Sequence, residues 1–212
     1  MLLRDSDLPR QGPIQSKRQK FVWTLAALWL GTVVSGLFVV WAYENKPGLD
    51  ARPPQQWPVQ NALVSATDRP TLVFVAHPQC TCTKASLDEL AEVLARAPKR
   101  AKAYVLFLRP LTFESGWERT DLWRRAATLP DVTVLRDDDG VEARRFGVET
   151  SGQTLLYDDR GTLIFSGGIT GARGHAGNNA GEATLVALLN RGEADRRGAS
   201  VFGCALFSHS GN

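Results

Sequence analysis

The chain has 212 residues, of which 43% are hydrophobic and 22% charged. That is the composition of a folded protein and the length of one ordinary domain with appendages. The net charge of +3 is unevenly placed: residues 1–60 hold seven Lys/Arg and four Asp/Glu, leaving 18 of the 25 basic and 18 of the 22 acidic residues for 61–212. The globular part is therefore balanced and lacks the basic excess that marks a nucleic-acid partner. Three cysteines are too few for a disulfide-stapled mini-domain, and an odd count leaves one free or exchanging partners.

Residues 1–20 form a basic tail with Arg4, Arg10, Lys17, Arg18 and Lys20. The next 23 residues, Phe21 to Tyr43, contain no charge, and about 20 apolar residues span a bilayer core. Trp23, Trp29, Trp41 and Tyr43 supply interfacial aromatics. A cleaved signal peptide has a shorter apolar core and a small-x-small site after it. This segment instead ends in Trp41-Ala42-Tyr43-Glu44, so an uncleaved transmembrane helix over 21–43 is expected. Only Lys46 and Arg52 follow closely. The charge bias puts the N-terminus in the cytoplasm and the rest in the periplasmic or extracytoplasmic space, anchored once in the inner (cell) membrane. Gly31 and Ser35 form a small-xxx-small pair too common in membrane helices to carry weight. Residues 44–60, with Pro47, Pro53, Pro54 and Pro58, read as a semi-stiff spacer.

A domain is expected over 61–191. Thr71–Ala76 is a short β-rich apolar run, read as a buried strand ended by His77-Pro78. Leu87, Leu90, Ala91 and Leu94 repeat at helical spacing up to Pro98. Ala103–Leu108 is a second strand, Trp117 to Ala127 a helix, Val132–Leu135 a strand and Val141–Phe146 a helical turn or two. Gln153–Tyr157 and Thr162–Ser166 flank Asp158-Asp159-Arg160-Gly161, a hairpin. Glu182–Asn190 closes the domain as a helix, and 192–212 is a tail with an apolar segment. Alternating elements with a final hairpin imply an α/β fold with a mixed sheet between helices.

Cys80 falls where the first strand hands over to the first helix. Unpaired backbone N–H groups and the helix dipole there favour the thiolate, the nucleophilic form. Cys82 stands two residues on, within reach of a mixed disulfide on Cys80. The alternative is a pair that is inert or merely bridged to itself. The stretches TLVFVAHPQCTCTKASLDEL (71–90) and FGVETSGQTLLYDDRGTLIFSGG (146–168) resemble the membrane-anchored extracytoplasmic members of the thioredoxin-like superfamily, and also its RedB proteins. The resemblance covers roughly 61–191. It implies a thioredoxin-like mixed sheet flanked by helices, preceded by one transmembrane helix, with strand 71–76 beside strand 153–157. Two features depart from the family pattern. The usual motif is Cys-x-x-Cys, whereas this is Cys-x-Cys, whose shorter loop strains a disulfide toward being more oxidising. The family also places a cis-proline before the hairpin strand, where it shapes substrate binding and discourages metal capture. Gly152 occupies the matching position here.

The glycine-rich stretch 167–181 is not a phosphate loop, since no Gly-Lys-Ser/Thr follows. It is either a surface insertion or a wall of the site. In the implied sheet its strand exits on the same edge as Cys80, two ladder steps or roughly 10 Å away, so Arg173, His175, Asn178 or Asn179 could lie beside the cysteines. Cys204 lies in the apolar run Val201–Phe207. It either packs as a small residue of a docked tail or acts as a resolving thiol or third metal ligand, since the chain from Arg191 can span roughly 40 Å. His77 is either a polar loop residue or a group that steadies a thiolate or binds metal. His209 earns no role. Asp137-Asp138-Asp139-Gly140 lacks the EF-hand pattern and reads as a turn and helix cap; Arg144-Arg145 reads as a solvated face.

The leading expectation is a membrane-tethered thiol–disulfide oxidoreductase in which Cys80 attacks and Cys82 resolves. His77, Gly152, Arg173, His175 and Cys204 are possible auxiliaries. It needs no cofactor, and its partners are thiols or disulfides of exported or membrane proteins. The second is a copper-handling protein using Cys80, Cys82, Cys204, His77 and His175, since soft thiolates select Cu(I). The third is a non-catalytic thioredoxin-like scaffold.

Overall fold

The computed structural model describes residues 13–207 of the chain; Arg4, Arg10 and His209 lie outside that range. It divides into two units, one ending at Tyr43 and one beginning at Glu44. Helix α1, Pro13–Glu44, starts eight residues before the uncharged run, so Lys17, Arg18 and Lys20 continue it. It is long and apolar enough to cross a membrane. Its 32 residues rise about 48 Å, and Phe21, Trp23, Leu28, Trp29, Phe38 and Trp41 are all exposed along it.

The second unit is built on a six-stranded sheet of order β3-β2-β1-β4-β5-β6. Its elements are β1 (Thr71–Ala76), α2 (Thr81–Arg96), β2 (Lys102–Arg109), α3 (Asp121–Ala127), β3 (Val132–Asp138), α4 (Val141–Arg145), β4 (Thr154–Tyr157), β5 (Leu163–Gly167), α5 (Ala180–Arg191) and β6 (Gly198–Ala199). β1 is central. It pairs parallel with β2 and antiparallel with β4, placing Leu72 opposite Leu156. All six β1 residues are buried, which explains a continuous apolar run where a half-exposed strand would alternate. Its side chains still divide between two faces. Leu72, Phe74 and Ala76 join Leu87 and Leu90 of α2, Ala126 of α3 and Leu185 and Leu188 of α5. Val73 and Val75 join Ala143 of α4, Phe146, Val148 and Leu206.

Several boundaries move for local reasons. α3 starts at Asp121, not Trp117, because residues 114–120 fold as turns around Gly116 at φ +97°. β3 runs on to Asp138 because Arg109 remains its partner on β2. Asp137 is the cap expected there: its carboxylate accepts from the N–H groups of Glu142 (2.8 Å) and Ala143 (2.9 Å) at the start of α4. β6 lies in a polar stretch with no strand pattern and is held by pairing with Ser166 and Gly167.

Within the stretch 44–60 read as a spacer, residues 44–58 bind along the domain as a strap. Gly48 N–H bonds to Val201 O, Arg52 N–H to Gly147 O, and Trp57 N–H to Gly161 O. The Tyr157 hydroxyl donates to Pro54 O at 3.0 Å. Trp57 packs edge-on against Phe146 and Tyr157, at 5.1 and 5.2 Å between ring centroids. Its prolines remove donors that a second ladder would need, so the strap bonds at intervals and seals the second core with one indole. Trp57→Ala is expected to lower unfolding stability by about 2–3 kcal/mol, below the range for a fully buried tryptophan because Trp57 is only partly buried. Chemical denaturation of the full chain in detergent checks this.

Candidate functional site: three thiols at the start of helix α2

Cys80 caps α2. Its own N–H bonds back to the His77 carbonyl at 3.2 Å, and its carbonyl accepts the Thr83 N–H at 3.0 Å. Its backbone is extended there (φ −84°, ψ 118°). Cys82 follows within that turn. Cys80 is 2% exposed and Cys82 9%, while Cys204 is more open than either. All three cysteines are free thiols.

The tail brings Cys204 to the site. Its carbonyl accepts the Ser151 N–H at 2.9 Å, and Leu206 N–H bonds to Glu149 O at 2.9 Å. Thr150 and Ala205 form an antiparallel bridge between these bonds. Gly203 makes the approach possible, since a Cβ there would stand 1.9 Å from Ser151 O. Val201 and Leu206 are buried, and Arg144 covers the ring of Phe207 at 4.0 Å. Arg144 is thus a cover for the tail, whereas Arg145 pairs with Glu142. Ser151 ties the tail to the thiols: its Oγ accepts the His77 N–H at 2.8 Å and lies 2.8 Å from Thr83 Oγ1.

The glycine-rich loop forms a wall through Arg173. Its N–H bonds to Glu44 O, its Nε to Lys46 O at 3.1 Å and its guanidinium to Gly203 O. One side chain therefore joins strap, loop and tail. Glu89 of α2 holds the far end of the loop by accepting Gly177 N–H at 2.6 Å and the Asn179 amide. Asn179 caps α5, and Asn178 is exposed. His175 is exposed, with Nδ1 2.9 Å from Arg173 O. The loop's effect on the thiols comes from Arg173, whose charge favours thiolate at both Cys82 and Cys204.

These contacts separate the three thiols electrostatically. Cys80 is pulled down to about 5, chiefly by the hydrogen bond it receives from the Cys204 thiol. Burial opposes this, and the Cys204 N–H, the Thr83 hydroxyl and the Thr83 N–H add to it. Cys82 is raised by burial, then by the Cys80 charge and the hydrogen bond it gives to Cys80. Cys204 is raised far above the ordinary thiol range, first because its proton is held on Cys80, then by burial. One sulfur carries the charge and two thiols donate to it. His77 is lowered by burial, against the pull of Cys80. Its Nδ1 accepts the Gln79 N–H at 3.2 Å, which leaves the ring proton on Nε2. The ring stands edge-on to Trp117 at 5.7 Å, and Trp117 stacks on Phe113 at 4.5 Å.

Gly152 lies beside the end of β1, where the resemblance places a proline. Its N–H donates to Val75 O at 2.8 Å, a bond proline cannot make. Its φ is +88°, and an added Cβ would come within 3.0 Å of Ser86 Oγ. Glycine thus lengthens the β1–β4 ladder by one bond. Among the described residues, no group of three or more His, Cys, Asp or Glu side chains converges to hold a metal ion.

No protein-family model matches the chain, and no curated protein does. Among solved structures, a hypothetical protein of Sinorhizobium meliloti matches at 15% identity and a TM-score of 0.57, covering 78% of this chain and 100% of its own. An uncharacterised conserved protein of Geobacillus kaustophilus matches at 16% identity and a TM-score of 0.54, covering 79% and 95%. A thioredoxin-like superfamily protein matches at 15% identity and a TM-score of 0.43, covering 67% and 98%. The chain has a thioredoxin-like fold. β1 lies beside β4 in a mixed sheet flanked by helices, as the resemblance implied.

The thiolate reading has a pH signature. Iodoacetamide alkylation of Cys80 should be nearly flat from pH 6 to 8 and fall away below about 5, where an ordinary cysteine gains about tenfold per pH unit in the same range. Cys204→Ala should move the midpoint upward most, and Thr83→Val less. Peptide-resolved alkylation rates measure both.

Proposed function

We propose that this protein is a membrane-tethered thiol–disulfide oxidoreductase acting outside the cytoplasm on cysteines of exported or membrane proteins. The observation that carries the reading is Cys80 at the start of helix α2, with its pKa lowered to about 5 chiefly by the Cys204 thiol and further by Thr83. Thiolate is the form that enters disulfide exchange. The sequence-adjacent thiol, Cys82, also donates to it, so a second sulfur is at hand to close a disulfide. The sulfurs carry the electrons, and the chemistry requires no cofactor. α1 supplies the tether, and the basic residues Lys17, Arg18 and Lys20 before its apolar stretch favour a cytoplasmic N-terminus.

A thiolate already stabilised by donors is readily released from a disulfide, because low-pKa thiols leave faster. The same stabilisation favours the reduced form of the pair and makes the disulfide more oxidising.

Two measurements on the full chain in detergent test the reading. Wild-type protein should catalyse exchange between reduced glutathione and a disulfide-linked peptide, and Cys80→Ser should reduce that rate to background. Cu(I) retained on the same sample and lost in both Cys80→Ser and Cys82→Ser, with no exchange activity, would replace this reading with copper handling. For the tether, protease added outside intact spheroplasts should digest residues 44–212. Digestion only after lysis would reverse the orientation.

A further inference from the structure

We propose that the thiol paired with Cys80 in the oxidised state is Cys204, and that Cys204 is the sulfur an external thiol reaches. The inference deepens the proposed function and rests on Cys80 being a redox thiol. Three observations carry it. First, the tail is part of the fold: Ser151 N–H, the Thr150–Ala205 bridge and Leu206 N–H fix the cysteine and the two residues after it. Gly203 and Arg173 fix the residue before it. Second, Ser151 brings Cys204 to the start of α2: its N–H bonds to the Cys204 carbonyl while its Oγ meets the His77 N–H and Thr83 Oγ1 on either side of Cys80, and the Cys80 and Cys204 thiols are electrostatically coupled. Third, exposure is graded. Cys80 is 2% exposed and Cys82 9%, while Cys204 is the most open of the three. A protein thiol in solution meets Cys204 first.

The reaction balances without an outside reagent beyond the substrate. A substrate thiolate attacks the sulfur of Cys204 in the Cys80–Cys204 disulfide. A bond forms between substrate sulfur and Cys204, the Cys80–Cys204 bond breaks, and its electron pair leaves on Cys80 as thiolate. A second substrate thiolate then attacks the substrate sulfur of that mixed disulfide. Its departing electron pair stays on Cys204, which takes a proton. The substrate is oxidised by two electrons and the Cys80–Cys204 pair is reduced by two. Reduction of a substrate disulfide is the same sequence in reverse, with Cys80 attacking the mixed disulfide on Cys204.

The division of labour fits the electrostatics. Lowering a thiol from about 8.5 to about 5 raises its thiolate fraction at pH 7 by roughly thirtyfold, but the accompanying loss of nucleophilicity is of about the same size. Cys80 therefore gains little as an attacker and much as a leaving group. Cys82 is the weaker partner on geometry. It follows Cys80 after a single residue in the first turn of α2, where a disulfide must close a very small ring.

The test is disulfide mapping of the full chain in detergent after oxidation with glutathione disulfide, by non-reducing digestion and mass spectrometry. The wild type should yield the Cys80–Cys204 linkage, and Cys82→Ser should still form it. Cys80→Ser should accumulate glutathione on Cys204. Cys204→Ser should slow glutathione exchange by roughly tenfold or more, with an unfolding midpoint near that of the reduced wild type to show that the fold is kept. A Cys80–Cys82 linkage with Cys204 free, and exchange undiminished in Cys204→Ser, would overturn the inference and leave the proposed function standing. No linkage among the three thiols, with Cys80→Ser as active as the wild type, would remove both.

Discussion

The hydrogen bond from Ser151 N–H to the Cys204 carbonyl is the constraint on which the site depends. It joins three remote parts of the chain at one point. Ser151 precedes β4 and ends the β1–β4 ladder through its neighbour Gly152; Cys204 belongs to the tail; and the Ser151 hydroxyl reaches His77 and Thr83 around the start of α2. That clamp, with the Thr150–Ala205 bridge and the Leu206 N–H, positions the Cys204 thiol, the largest influence lowering Cys80. The sheet sets the clamp in turn, because β1 and β4 must pair in register for Ser151 to face the end of β1.

The same clamp explains why so much polar backbone sits near the thiols without cost. Buried N–H and C=O groups need partners. Here strap, loop and tail supply them to one another through Arg173 and Gly48. The second unit is thus a conventional α/β core wrapped on one edge by segments of little periodicity, with the reactive sulfur beneath them. Burial disfavours a thiolate at Cys80, and the Cys204 thiol and Thr83 offset it.

Much of this architecture is legible in the sequence, and the reasons differ by element. β1 and β2 show as continuous apolar runs because both faces are covered, and α2 shows through Leu87, Leu90 and Leu94 because one face alone is buried. Cys80 at the strand-to-helix junction follows from those two elements, and Arg173 follows from the topology of the hairpin. The strap does not show, since Trp57 works alone in the core and its neighbours bond mainly through backbone. β6 does not show either, being two residues held by Ser166 and Gly167. Thr83 and Ser151 are hidden because a hydroxyl near a helix start is commonplace; only the third dimension brings them together. The place of Cys204 rests on glycine at 203, a signal visible only once Ser151 is known to be its neighbour.

The central claim is that Cys80 is one half of a reversible two-electron couple. Equilibration of the full chain in detergent against glutathione buffers of graded potential tests it most directly. The account predicts one transition, with a slope of about 30 mV per tenfold change in the ratio of the two forms, that disappears in Cys80→Ser. A chain that stays reduced across the whole range, or a transition that survives in Cys80→Ser, would contradict it.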